Sequence, residues 1–302
     1  ADFEDNGSLF DITGDFYAQA RNISITPWLT KFLEDETGIE GGQVSFNSWF
    51  SVDKSQPIDG YIELLPSELT WTEDESHLLL IEKGFFKLFP IKEGHTKKSD
   101  AWKVSGHSIM VRTDEVEWPS LDLVFQREQG HWIANISQLD IKSLRPLVHL
   151  LPSSSVASDW LNRLQPTGLI EDIRVAHSSD TGSLSYSASL SSGGMKQWEL
   201  LPEVHELSAD IAGTGSIMAA NVTLIDDVLP YGDVFQAPLK IKQGDVDIVW
   251  QSDEKGWRLW SDKVTAATPD LQVLGEFMLD FPNQGSPFLS FYAEADAFNV
   301  GE

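Results

Sequence analysis

Alternation with a period of two governs most of this sequence, and it permits little besides β-structure. In QVSFNSWFSV, Val44, Phe46, Phe50 and Val52 fall on one side, while Gln43, Ser45, Asn47 and Ser51 fall on the other. Trp49 is the exception, an aromatic on the polar side. In SLSYSASLS, Leu184, Tyr186, Ala188 and Leu190 alternate with serines; Leu207, Ala209 and Ile211 alternate with Glu206, Ser208 and Asp210. Successive side chains of a strand point to opposite faces, so each run describes a strand with one apolar and one wet face, as in antiparallel sheet. Turn signals such as DNGS, IDG, SSDTG, SSGG, YGD and PNQGSP separate the runs. The expected fold class is therefore mainly β, an antiparallel sheet with two short helical segments.

One hairpin design is used more than once. LDLVFQREQGHWIANISQ, residues 121–138, recurs 125 residues later as VDIVWQSDEKGWRLWSDK, residues 246–263. A looser copy, SELTWTEDESHLLLIEK, sets Trp71 and Leu78 at the same separation of seven as Phe125 and Trp132. Each copy reads as strand, polar turn, strand. In the first, Leu121, Leu123 and Phe125 share one face, Trp132, Ala134 and Ile136 share the other strand's face, and the two aromatics flank the turn as a cross-strand pair. The second contributes Val246, Ile248, Trp250, Trp257 and Leu259, and the looser copy Leu69, Trp71, Leu78 and Leu80. These fifteen residues are the candidate lining of an apolar face. The residue pattern alone leaves open whether that face is a dry core or an open trough.

Two stretches break the strand pattern. SITPWLTKFLEDETGIEGG has Thr26 as N-cap, Pro27 at the first helical position, a stripe of Trp28, Leu29, Phe32 and Leu33, and Gly38 as C-cap, giving a helix near 27–36. SQLDIKSLRPLVHLLPSSSVASDWLNRLQPTG reads as one or two short helices broken at Pro146 and Pro152, with Leu144, Leu147, Leu151, Trp160, Leu161 and Leu164 on its stripe. Each follows an Asn-Ile-Ser strand end, at 22–24 and 135–137. They read either as lids over the end of a sheet or as connectors packed by their own apolar face. The division is then a first β-module, 1–139, and a second, 140–302, opening with a helical connector over about 140–165. Such repeats suggest an extended, quasi-one-dimensional arrangement rather than one round core.

The totals exclude several partners. The 302 residues carry a net charge of −26. That opposes nucleic-acid binding and docking onto an anionic lipid surface, both of which need clustered cations. There is no cysteine, so disulfides and thiolate chemistry are ruled out. No stretch approaches the roughly 18 apolar residues of a membrane span, and there is neither an initiator Met nor a signal peptide. The chain reads as a piece of a longer protein.

Catalytic patterns are equally sparse. The seven histidines show no metal-ligand spacing, and neither a phosphate-binding glycine loop nor a G-x-S-x-G elbow occurs. Of the acidic runs, Glu294-Ala295-Asp296 comes nearest to a glycosidase strand motif, but Asn299 stands where a third acid belongs. EDE at 34–36 and EDES at 73–76 read as solvated charge runs. Trp71, Trp250 and Trp257 fall in alternating strands facing inward; Trp102, Trp118 and Trp198 stand beside charged or loop residues. The expectation is a non-enzymatic protein with no cofactor and no metal.

The order of several motifs carries a resemblance. GHSIMVRTDEVEWPSLDLVFQREQGHWIANISQLDIKSLRPL is followed by WLNRLQPTGLIEDIRV, WELLPEVHELSADIAGTGS, VFQAPLKIKQGDVDIVWQSDEKGWRLWSDKVTAATPDLQVLGEF and SPFLSFYAEADAFNV. Within it, Leu164, Pro166, Gly168, Ile170 and Asp172 match the element L-x-P-x-G-x-I-x-D. This order resembles the periplasmic YhdP-type proteins of the AsmA-like superfamily of Gram-negative bacteria. The resemblance implies an elongated, strongly twisted, taco-like sheet curled into an apolar groove. It implies a periplasmic segment of a protein anchored in the inner membrane, carrying phospholipids to the outer membrane and supporting its permeability barrier. The implied partners are phospholipid acyl chains and other envelope proteins, and no catalytic residue is carried over. No stretch of this sequence reads as the anchor helix that the resemblance implies for the full-length protein. Two other readings fit the residues: an envelope scaffold with a filled trough, and a carbohydrate-binding β-sandwich with an exposed Trp row or facing carboxylates.

Overall fold

The computed structural model of the protein describes residues 12–29, 39–54, 56–72, 75–90, 101–150, 161–198, 201–230, 238–269 and 271–297. These residues form one antiparallel sheet of 16 strands that does not close into a barrel. The chain divides into two compact units: Ala1–Ser158 with Ala176–Gly182, and Asp159–Val175 with Ser183–Glu302.

In the first unit the strands are β1 (Gly14–Ser24), β2 (Ile39–Asp53), β3 (Gln56–Thr72), β4 (Ser76–Pro90), β5 (Trp102–Thr113), the two-residue β6 (Val116–Glu117), β7 (Leu121–Glu128) and β8 (His131–Asp140). They pair in chain order, except that β6 lies off the path against β5, which continues to β7. β9 (Thr167–His177) is followed by β10 (Leu184–Met195), β11 (Val204–Thr214), β12 (Ile217–Leu229), β13 (Leu239–Asp253), β14 (Gly256–Ala267), β15 (Leu271–Pro282) and β16 (Phe288–Ala297), and β10 to β16 again pair in chain order. Short turns and alternating strands of similar length leave this meander as the simplest topology.

Register fixes which side chains share a face, because directly opposed residues in an antiparallel pair point the same way. In the first unit one face collects Phe16, Phe46, Phe50, Ile62, Leu64, Phe86, Leu88 and Val104 through successive pairings. The opposite face takes Asp15, Gln19, Asn47, Ser51, Asp59 and Glu63, and Trp49 lies there too, as its position in the alternation requires. In the second unit Ala188, Leu190, Ala209, Ile211, Ala220 and Val222 share a face, with serines and Asp210 opposed.

The strands are interrupted by bulges. Register slips occur between Ala20 and Ile23, Gly106 and Ile109, and Leu190 and Gly193, and within them Asn22, Ser108 and Ser192 have φ near +50°. A bulge withdraws backbone N–H groups from the ladder. Side chains of the neighbouring strand accept them: Asn22 N donates to Ser45 Oγ at 2.9 Å, and Ser108 N to Asp122 Oδ1 at 2.9 Å. This accounts for the buried hydroxyls of Ser45, Ser67 and Ser261, which accept the amides of Asn22, Ser45 and Lys263. The apolar face also carries glycines. A Cβ on Gly106 would stand 2.9 Å from Ile109 Cδ1 and Phe86 Cε1 and 3.0 Å from Leu123 Cγ, so the neighbours already fill its place. Bulges and loss of side-chain bulk on one face are the means by which a sheet curls.

The helical expectations are met in part. α1 (Thr26–Leu29) is a single turn, and residues 30–38, which hold Phe32, Leu33 and Gly38, lie outside the described set. α2 (Ile141–Leu144) is capped by Asp140, whose carboxylate accepts from Ser143 N at 2.9 Å, and a 3-10 turn, Arg145–Leu150, follows. α2 touches β8 and β5, with Ile141 and Ser143 buried. Residues 151–160, including Leu151 and Trp160, are outside the described set, and 161–164 are helical.

Among the described residues a buried apolar cluster lies on β5 and β7. Ile109, Val111 and Leu121 are buried together, and Leu79, Ile81, Phe86, Trp118, Leu123 and Leu139 close around them.

Candidate functional site

The repeated hairpins place their residues as the alternation requires. In β7 and β8, Leu123 opposes Ile136 and Phe125 opposes Ala134, while Trp132 opposes Arg127. Phe125 and Trp132 therefore share a face as a diagonal pair, their rings stacked at 5.9 Å and 20°. Gln129 and Gly130 both have positive φ, the signature of a type I′ turn whose twist matches the strands. In β13 and β14, Trp250 opposes Leu259 and Ser252 opposes Trp257. Val246 and Ile248 continue this face, opposing Val222 and Ala220 of β12.

The looser copy behaves differently. Trp71 opposes His77 and Leu69 opposes Leu79, so these four share the apolar face. Leu78 opposes Thr70 and Leu80 opposes Glu68, which sets both leucines on the other side of the sheet. The cause is turn length. Two residues separate Glu128 from His131 and Asp253 from Gly256, whereas three separate Thr72 from Ser76. One extra residue reverses the parity of the whole second strand. Here His77, Leu79 and Ile81 take the inner positions.

Aromatic rows extend across both apolar faces beside the repeated turns. In the first unit Trp102, Phe125, Trp132 and His177 follow one another at 5.2, 5.9 and 5.8 Å. In the second, Trp257 lies against Phe281 at 4.0 Å and Trp198 stands 5.8 Å from Phe281, with the Arg163 guanidinium 5.6 Å from the Trp198 ring centre. Trp102 and Trp198, ambiguous in the sequence, belong to these rows. Trp118 instead packs on the Ile109 cluster and donates from Nε1 to Thr113 Oγ1 at 2.9 Å.

These faces are only half covered. Of the fifteen candidate residues, Trp71 and Leu121 are buried; the other thirteen are intermediate. Phe291, on the same face as Phe277, is 62 % exposed. Within each unit the strands contact their sheet neighbours, with α1 against β2 and α2 against β8 and β5. The surroundings are nonetheless apolar enough that burial pushes the Tyr186 hydroxyl above its ordinary pKa.

The residues that sequence reasoning missed are Trp102, Phe86, Ile109 and Val111 in the first unit and Leu279 and Phe281 in the second. HLLLIEKGFFKLF in β4 has adjacent apolar residues, so alternation alone cannot choose its inner set. Among the described residues no group of three or more acidic or histidine side chains is placed to hold a metal. His77 serves locally: its Nδ1 lies 2.9 Å from Asp114 Oδ2, while Asp114 Oδ1 accepts the Leu78 amide at 2.8 Å.

No solved structure matches this chain. The chain is 26 % identical over 310 residues to a protein of Escherichia coli (strain K12) named as the intermembrane phospholipid transporter YhdP. The match takes in 96 % of this chain and 23 % of that protein. The family model described as YhdP protein matches residues 1–302, and the chain belongs to that family.

Proposed function

We propose that this chain is a periplasmic section of an inner-membrane-anchored bridge protein, and that its apolar faces carry phospholipid acyl chains between the inner and outer membranes. The observation that supports this most is the half-covered apolar face itself, drawn from alternate residues of strand after strand. A sheet with one apolar face must cover it, and here the side chains remain partly open. Acyl chains are a suitable cover. Each methylene removed from water contributes about 0.8 kcal/mol, so two long chains are held firmly while a headgroup stays in solvent. Moving a lipid along a uniform trough leaves the buried area nearly constant, so the path is close to level in free energy and needs no cofactor. The named relative supports the lipid class, and this chain corresponds to under a quarter of its length.

The lining we propose is Leu69, Trp71, Leu121, Leu123, Phe125, Trp132, Ala134 and Ile136 in the first unit, and Val246, Ile248, Trp250, Trp257 and Leu259 in the second, with Leu79 and Ile81 in place of Leu78 and Leu80. Native mass spectrometry with lipid extraction tests the reading. Phospholipid is expected to co-purify, to fall severalfold with Ala134→Asp or Ile248→Asp, and to be unchanged by Gln126→Asp on the opposite face. A folded protein with no lipid in any preparation would sink the proposal in favour of a scaffold with a filled trough.

A further inference from the structure

The polar face of the first unit holds a feature that lipid transport does not use. Tyr17 of β1 opposes Trp49 of β2, Trp49 opposes Tyr61 of β3, and Tyr61 opposes Lys87 of β4. Three aromatic rings thus form one straight cross-strand row on a side of the sheet that is polar along β1 and β2 and carries Phe85 and Phe89 beside Lys87 on β4. Their centroids are 5.3 and 5.5 Å apart, and Phe85 extends the row at 6.3 Å from Tyr61. Tyr17 is 55 % and Trp49 42 % exposed.

Hydrogen-bonding rows flank the rings on both sides. One step along the strands, Asp15, Ser51 and Asp59 oppose one another; one step the other way, Gln19, Asn47 and Glu63 do. These groups are held in place. Ser51 Oγ donates to Asp15 Oδ1 at 2.7 Å, and Asn47 Nδ2 donates to Glu63 Oε2 at 2.7 Å. Tyr17 Oη and Gln19 Nε2 both donate to Asn47 Oδ1, at 3.3 and 3.1 Å. A shallow cavity of about 650 Å³ lies over the site, with Asp15, Tyr17, Trp49, Asp59, Tyr61 and Lys87 in its lining.

We infer that this row is a binding platform for a polysaccharide strand of uncharged or amino-bearing hexopyranose units. A pyranose ring offers a C–H face and a rim of hydroxyls, and the site offers π faces along a line with acceptors and donors on either edge. Alternate ligands fit poorly. Acyl chains would take the charges of Asp15, Asp59 and Glu63 out of water, and the single hydrogen bonds from Ser51 to Asp15 and from Asn47 to Glu63 do not offset that cost. A phosphate or uronate would meet those carboxylates; the nearby cations are Lys87 in the row and Arg21, whose Nη2 is engaged with Asn47 Oδ1 at 3.1 Å. The inference goes beyond the lipid proposal and uses the opposite face, so either can fail alone.

The test is titration of the 302-residue chain with the β-1,4-linked N-acetylglucosamine hexamer, with cellohexaose, and with oligogalacturonate as the anionic control, read by tryptophan fluorescence and calorimetry. A neutral oligosaccharide is expected to bind. Trp49→Ala is expected to weaken it about tenfold or more, the scale of one lost stacking contact. Tyr17→Ala, on the first strand, is a second variant should Trp49→Ala not fold, and Tyr292→Ala, an exposed aromatic of the second unit, should leave binding unchanged. No binding of either neutral oligosaccharide, binding indifferent to both ring substitutions, or preference for oligogalacturonate would each overturn the inference.

Discussion

Asp227 is buried in a sheet that fully buries few side chains, and its surroundings explain why an acid is tolerated there. Burial by itself pushes the carboxyl pKa up, but the backbone N–H groups of His205, Val228 and Glu206 and the His205 side chain pull it down, leaving it below the ordinary value. The shortest of these bonds are Val228 N to Oδ1 at 2.7 Å and His205 N to Oδ2 at 3.0 Å. The carboxylate follows Asp226, whose φ is +52°, and accepts the His205 and Val228 amides, as Ser45 accepts the Asn22 amide elsewhere. Because its folded pKa is depressed, its stabilisation is fully present above the unfolded pKa, about 4. It is lost as pH falls through the lower folded value. Asp227→Asn is expected to cost about 1–3 kcal/mol at neutral pH and to flatten the decline in stability between pH 5 and 2. Chemical denaturation across that range checks it, and an unchanged acid limb would show that the carboxylate does not carry the effect.

At the scale of elements, strand existence and facing were legible because alternation reports them directly. Val44, Phe46 and Phe50, Leu184 to Leu190, and both true hairpin copies lie in strands, with the expected residues sharing faces. The hairpin near Trp71 was misread because its turn has three residues, and a spacing of seven across it means something different from the same spacing across two. Length of a turn is written in the sequence, but where the last pair closes is not. The register gives a direct comparison. Leu79→Asp drives a charge into the Ile109, Val111 and Leu121 cluster and is expected to cost about 3 kcal/mol or more. Leu80→Asp, one position along on the face shared with Glu68, is expected to cost about 1 kcal/mol or less. Equal losses in urea denaturation would contradict the register. The bulges, by contrast, left only faint traces. Asn22, Ser108 and Ser192 are residue types that tolerate positive φ or accept local hydrogen bonds, but many others of the same type sit in plain strand.

At the scale of the whole molecule, the apolar face was legible and its cover was not. A run of alternating residues specifies that one side avoids water; it does not say whether a second layer, a helix or a ligand meets that side. The structure answers for the protein's own part: one antiparallel sheet that does not close into a barrel, with most of the candidate lining half-buried. What fills the remainder is the central claim, and position-specific photo-crosslinking in living cells measures it most directly. With the crosslinker at Phe125 or Trp250 on the apolar faces, and at Gln19 on the polar face as control, phospholipid adducts are expected from the first two positions and not from the third. Adducts to protein alone from Phe125 and Trp250, or equal lipid labelling from Gln19, would contradict it.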